Sequence, residues 1–243
     1  MSAKTKYNPQ PESSRATYIF GGLAVLVIAV LVIGGVIWQN DRSKPRNEGY
    51  GGVQNSAVEV ALQENGVVLL GRPDAATSID LFEDPMCPYC AELENRNGQE
   101  LAQAIDDGAV AVRYHILNFL DRLSASGDYS TRAVAASQCV AETGDAVAYS
   151  AFHAELFSPA NQPKENGSDD HSNEELAQLA RDAGASDDAA RCITSGARVE
   201  QAAIDAEAGR QALAASGATG TPAVVKDGTV IDALGNENWV SQL

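Results

Sequence analysis

Two thiols stand one helical turn apart at Cys87-Pro88-Tyr89-Cys90, directly after an alternating apolar run and directly before a helical pattern. That placement restricts the fold, because the chemistry of such a pair needs a strand to deliver it and a helix to begin at it. A thiolate, not a thiol, is the reacting species. The start of a helix offers unpaired N–H groups and partial positive charge that favour the thiolate of the first cysteine. Cys90, one turn further in, is expected to be shielded, and Pro88 suits the first helical position, where no N–H is needed. Cys87 is therefore read as the exposed, attacked sulfur and Cys90 as the resolving one. Upstream, Ser78-Ile79-Asp80-Leu81-Phe82 alternates as a strand does and turns at Glu83-Asp84-Pro85. Downstream, a helix is predicted over 91–105, with a weak point at Asn97-Gly98, and a strand over 110–116. This spacing is a βαβ unit, and its sheet is expected to be parallel.

Two other readings of the pair compete. Half of a tetrathiolate zinc site needs a second close pair, whereas Cys139 and Cys192 stand far apart and His115, His153 and His171 form no cluster at metal spacing. A purely structural disulfide in so short a ring contributes little loop entropy. Redox chemistry is favoured over both, with no metal and no cofactor expected. For the remaining cysteines, a Cys139–Cys192 disulfide is favoured outside the cytoplasm, where it would stabilise by roughly 4 kcal/mol through its loop of about 50 residues. The alternative is two buried thiols packing as small hydrophobes.

The chain has 243 residues, 44% of them hydrophobic, which is room for one generous domain or two small ones with a real core. Net charge is −16, and residues 50–243 hold 11 Lys/Arg against 30 Asp/Glu. Such a surface repels phosphate backbones, so nucleic acid is excluded as a partner. Residues 19–37 are uncharged and long enough to cross a bilayer as a helix, flanked by Tyr18 and Trp38. No small-residue cleavage site follows, so an uncleaved anchor over 19–38 is expected, after a cytoplasmic tail over 1–18. The polar, Gly/Asn-rich stretch 39–60 reads as a linker. The folded domain is then 61–243. It opens with a strand at 67–70 and carries a helical insert over about 121–216. Helices are predicted there at 130–142, 145–157, 173–183, 187–194 and 198–215, several of them capped by Asp, Ser or Asn and stopped by Gly. Asp227-Gly228 between two apolar runs signals a hairpin, and a last short helix is predicted over 237–243.

With these residues placed, the sequence resembles the DsbA family of thioredoxin-fold proteins, in the membrane-anchored form common among Gram-positive actinobacteria. The likeness covers about residues 53–243. It rests on the segment from Phe82 through Glu83-Asp84-Pro85-Met86 to Cys90, on the insert with Phe152-His153-Ala154-Glu155-Leu156-Phe157 and Asn173-Glu174-Glu175-Leu176-Ala177, and on Gly220-Thr221-Pro222 before a strand. The resemblance implies an α/β thioredoxin-like fold with a helical insertion. It also implies a cis proline at Pro222, with the Thr221 backbone pairing with a cysteine-containing strand. Two departures bear on redox poise. Tyr89 stands where many oxidases of the family have His, and Thr before the cis proline is seen in isomerase-type relatives. Glu83 and Asp84 are candidates for proton transfer or, equally, turn and capping residues. His153 reads as a helix-packing residue, and Met86 and Tyr89 as an apolar rim for unfolded substrates or, in the ordinary alternative, as local packing. The implied activity is donation of disulfides to unfolded secreted proteins by a monomer, reoxidised by a membrane partner similar to DsbB or to a vitamin K epoxide reductase. A reductase or isomerase feeding envelope targets is the alternative. A glutaredoxin-like enzyme and a non-enzymatic binding module stand further off.

Overall fold

The computed structural model describes residues 49–243, together with Phe20, Gly21, Val25, Ile28 and Val32. The expected tail and anchor (1–38) lie outside the described residues except for those five, which are helical. Among the described residues no helix is long and apolar enough to cross a membrane. The strands and helices named below all belong to the unit Pro45–Leu243.

Six strands form one sheet: β1 (Glu59–Leu62), β2 (Val68–Gly71), β3 (Thr77–Glu83), β4 (Val110–Ile116), β5 (Ala223–Lys226) and β6 (Thr229–Ile231). Their spatial order is β1-β2-β4-β3-β5-β6. Only β3 and β4 run parallel, joined by the helix α1 (Pro88–Asp106). The expectation of a parallel sheet therefore holds for the βαβ unit alone. Every other neighbouring pair is antiparallel, because those strands are joined by turns or return from the helical insert. At the β5–β6 turn both Asp227 and Gly228 have positive φ, 50° and 75°, the backbone such a two-residue hairpin demands.

Strand parity divides β3 between two faces. Ile79, Leu81 and Glu83 share one, where Ile79 and Leu81 pack with α1 and the insert, while Phe82 turns to a smaller cluster with Leu117, Leu213, Ala223 and Val225. On that second face Arg113 and His115 of β4 bind the Asp80 carboxylate, and the His115 ring stacks on Phe82.

Between β4 and β5 lie α2 (Tyr129–Ala141), α3 (Ala146–Leu156), α4 (Asn173–Asp182), α5 (Asp187–Ser195) and α6 (Val199–Ala215). Their ends fall within a residue of the predicted ones because the caps are local chemistry. The Asp145 side chain accepts from the Ala148 N–H, Ser172 and Glu175 form a reciprocal capping box, and α5 stops at Gly196 with φ of 66°. Cys139 of α2 and Cys192 of α5 are joined by a disulfide across 53 positions.

Three further expectations are corrected. The polar stretch read as linker to residue 60 is packed structure from residue 49 onward. The Gly49 N–H donates to the Asn95 carbonyl, Val53 and Val58 are buried, and β1 begins at Glu59. Its glycines permit that approach: a Cβ on Gly51 would sit 2.5 Å from Gln99 Cα of α1. The same strap explains why α1 runs unbroken through Asn97-Gly98. Gly98 leaves room for Gly51, and the Asn97 amide donates to the Glu237 carbonyl. The last helix is only a single turn, Val240–Gln242, and the preceding segment is held by side chains. Arg96 binds the Ala233 and Leu234 carbonyls, and Trp239 fills the core.

Candidate active site

β3 ends at Glu83, and a turn closed by the Cys87 N–H on the Asp84 carbonyl leads into α1. Cys87 is the residue that caps the helix, in extended conformation, with Pro88 at its first position. The first-turn N–H groups of Cys90 and Ala91 donate to the Cys87 carbonyl, which sets the positive end of the helix against Cys87. The Cys90 thiol, the backbone N–H groups of Cys90 and Tyr89 and the Thr221 side chain stabilise its thiolate against the opposing effect of burial. Together they draw the Cys87 thiol down to about 6. Cys90 goes the other way: burial, its hydrogen bond to Cys87 and the charge of Glu83 push it well above the ordinary thiol range. The two sulfurs are thus divided into one thiolate and one thiol at neutral pH.

Accessibility is less generous than the sequence implied. Cys87 is 6% exposed and Cys90 0%, so both cysteines are recessed, Cys87 the less completely. Across from it the Thr221-Pro222 peptide is cis, and the Thr221 carbonyl oxygen lies 3.4 Å from Cys87 Sγ. Tyr89 is 60% exposed beside the pair, whereas Met86 is buried and forms no part of a rim.

The adjacent acids Glu83 and Asp84 have unlike surroundings. The Asp84 carboxylate accepts from the N–H groups of Met86 and Leu120 and from the Ser130 hydroxyl, which ties the turn to the insert. Burial raises its carboxyl to about 7 even so. Among the described residues Glu83 finds no aligned hydrogen-bond donor. Its Oε2 lies 3.2 Å from His153 Nε2 of α3, and that nitrogen is 3.5 Å from Oε1 of Glu94 on α1, the geometry of an ion pair. Burial first, then the charge of Glu94, lifts the Glu83 carboxyl far above the carboxylate range, with His153 opposing. Glu83, Glu94 and His153 bring their donor atoms within 4.8 Å of one another, the one grouping of metal-ligating types among the described residues. The imidazolium supplies there the positive charge a cation would bring.

The family model described as Thioredoxin matches residues 63–243. A thiol–disulfide oxidoreductase of Corynebacterium diphtheriae, the MdbA protein, is 30% identical and superposes with a TM-score of 0.68 over 78% of this chain and 95% of its own. The chain belongs to the thioredoxin-fold family of DsbA-type thiol–disulfide oxidoreductases. Oxidised DsbA of Mycobacterium tuberculosis is 32% identical, with a TM-score of 0.57 over 72% of this chain and 85% of that one. A curated relative, the serine/threonine-protein kinase PknE of M. tuberculosis, is 41% identical over 187 residues. The chain spans about a third of that protein's length, so the match concerns one part of it.

Within this DsbA-type oxidoreductase the sequence reading missed the partners of Glu83. Glu94 stands one turn beyond Cys90 on the same helix face, a legible signal, while His153 comes from the insert and shows no local sign of its carboxylate neighbours. Gln162, in a polar loop, donates to the Pro85 and Cys87 carbonyls and steadies the cysteine turn from outside.

Proposed function

We propose that the protein donates disulfides to secreted proteins outside the cytoplasm, tethered by a membrane anchor at residues 19–38. A substrate thiolate attacks Cys87 Sγ of the oxidised pair. The Cys87–Cys90 bond breaks, and Cys90 leaves as a thiolate that takes a proton from the Glu83 carboxylic acid. A second substrate thiolate then attacks the substrate sulfur of the mixed disulfide and expels Cys87 as its stable thiolate. Each cycle oxidises two substrate thiols and leaves the pair reduced, for reoxidation by a membrane enzyme similar to DsbB or to a vitamin K epoxide reductase. The Thr221 carbonyl at the cis proline would pair with the substrate backbone. Asp84 serves the turn rather than the proton.

The observation that carries this reading is the thiolate-stabilising cap around Cys87. A first cysteine drawn down to about 6 stabilises the reduced form at neutral pH and makes the disulfide more oxidising. Relative to an unperturbed thiol the effect at pH 7 is about 1 kcal/mol after allowance for solvent screening, or roughly 20–30 mV. The gap between thioredoxin and DsbA is about 150 mV. This shortfall, together with Tyr89 in place of His, favours a second reading in which the pair delivers electrons as a reductase or isomerase. Equilibration of the pair with glutathione buffers decides between them. A potential near about −120 mV supports the oxidase, and one near about −270 mV overturns it.

A further inference from the structure

Disulfide donation as described leaves His153 without a task, yet the fold places it with care. The ring is buried between Tyr114 at 4.5 Å and Phe157 at 5.1 Å between centroids, and neither nitrogen has an aligned hydrogen-bond partner. Among the described residues its charge is answered by Glu83 at the end of β3 and Glu94 on α1, at 3.2 Å and 3.5 Å. The other titratable groups turned to this spot are Cys87 at the start of α1, whose thiolate opposes charge on Glu83, Cys90 on α1, and the phenols of Tyr114 and Tyr149, both phenols pushed up by burial and so neutral. Among these groups His153 is the one cation. Burial alone would lower it, but the two carboxylates outweigh that and hold it protonated.

We propose that His153 is a positioning residue for the exchange, holding Glu83 ionised in the reduced enzyme so that its carboxylate can accept the Cys90 proton. This rests on the proton step assigned to Glu83 above. In reoxidation, a partner disulfide is attacked by the Cys87 thiolate and forms a mixed disulfide, releasing one partner sulfur as thiolate. Cys90 then passes its proton to Glu83, attacks Cys87 Sγ, and the second partner sulfur leaves with the electron pair. Glu83 keeps the proton until the next substrate is oxidised, when the departing Cys90 thiolate takes it back. Glu94 works against His153 by repelling charge on Glu83. The insert thereby sets the pH at which the resolving step runs.

The test is the pH profile of that step in the full chain. The Cys87 mixed disulfide with glutathione is prepared, and its conversion to the Cys87–Cys90 disulfide is followed by acid quench and mass analysis. The wild type should show an acid limb set by Glu83. His153→Gln removes the cation and should move the limb to higher pH by about one unit or more, a roughly tenfold slower step at a fixed pH on the limb. Glu94→Gln removes the opposing anion and should move it to lower pH. Glu83→Gln should abolish the limb, and adding His153→Gln to it should change nothing further. Limbs that move together in the two single variants, an unmoved limb, or an added shift in the double variant would overturn the role of His153. If His153→Gln fails to fold, the downward shift in Glu94→Gln still decides, since a limb unmoved or raised there refutes the charge balance. A wild type that forms no Cys87–Cys90 disulfide, or a Glu83→Gln enzyme that retains the limb, would instead refute the underlying proton step.

Discussion

Cys90→Ala isolates the largest of the influences that hold Cys87 near pH 6. The Cys90 thiol donates to the Cys87 thiolate, and a hydrogen bond to a charged acceptor contributes about 1.5–3 kcal/mol. At about 1.36 kcal/mol per pH unit, its loss should raise the Cys87 midpoint by roughly one to two units. The helix-start N–H groups and Thr221 remain in the variant, so the midpoint should settle at about 7–8 rather than return to an unperturbed thiol. At pH 6 the thiolate fraction would fall from about one half to about a tenth or less. Pseudo-first-order alkylation with iodoacetamide from pH 4 to 9 reads this directly, with mass mapping to confirm a single adduct on Cys87. A variant midpoint within about 0.3 unit of wild type would refute the hydrogen-bond account and leave the helix terminus as the cause. Stability follows with a definite sign. The folded value lies below the unfolded one of about 8.5, so the reduced protein binds fewer protons than its unfolded chain in between. Its stability should therefore rise with pH from about 6 toward 8.5 and be lost as pH falls through about 6, a trend that Cys90→Ala should flatten.

The bridge between α2 and α5 closes a loop of 53 positions, worth about 4 kcal/mol in the chain-entropy model. With a urea dependence of about 2 kcal/mol per molar, Cys139→Ala/Cys192→Ala should lower the unfolding midpoint by about 2 M; a shift under about 0.5 M would mean that packing alone fixes the insert. At Gly51 an added Cβ would press on Gln99 backbone rather than on a flexible side chain. Gly51→Ala should therefore cost about 1–3 kcal/mol in denaturant unfolding, and no loss would show that the strap can lift off α1.

Why some of this was legible and some was not comes down to the distance over which each cause acts. The Cys87–Cys90 turn, the Asp227-Gly228 hairpin and the capped helices of the insert are local choices, and their boundaries were readable to about a residue. The strap over 49–58 failed because its glycines look like linker composition, while their use, letting backbone lie on backbone, exists only against α1. Met86 failed for a related reason, since an apolar residue beside a reactive cysteine can face either the rim or the core, and packing decides. The pair Glu83 and Asp84 is more instructive. Taken as two adjacent acids they are interchangeable, but the alternation of β3 separates them. Glu83 has the parity of Ile79 and Leu81 and must enter the face where α1 begins, whereas Asp84 lies past the strand, where a turn needs its donors bound. Parity thus predicts which acid reaches the buried sulfur. What it cannot predict is the charge that acid meets, because His153 arrives through the insert from 70 positions downstream of Glu83. The proton chemistry of the pair is accordingly written in the tertiary fold, and a homologous pair under a different insert need not share it.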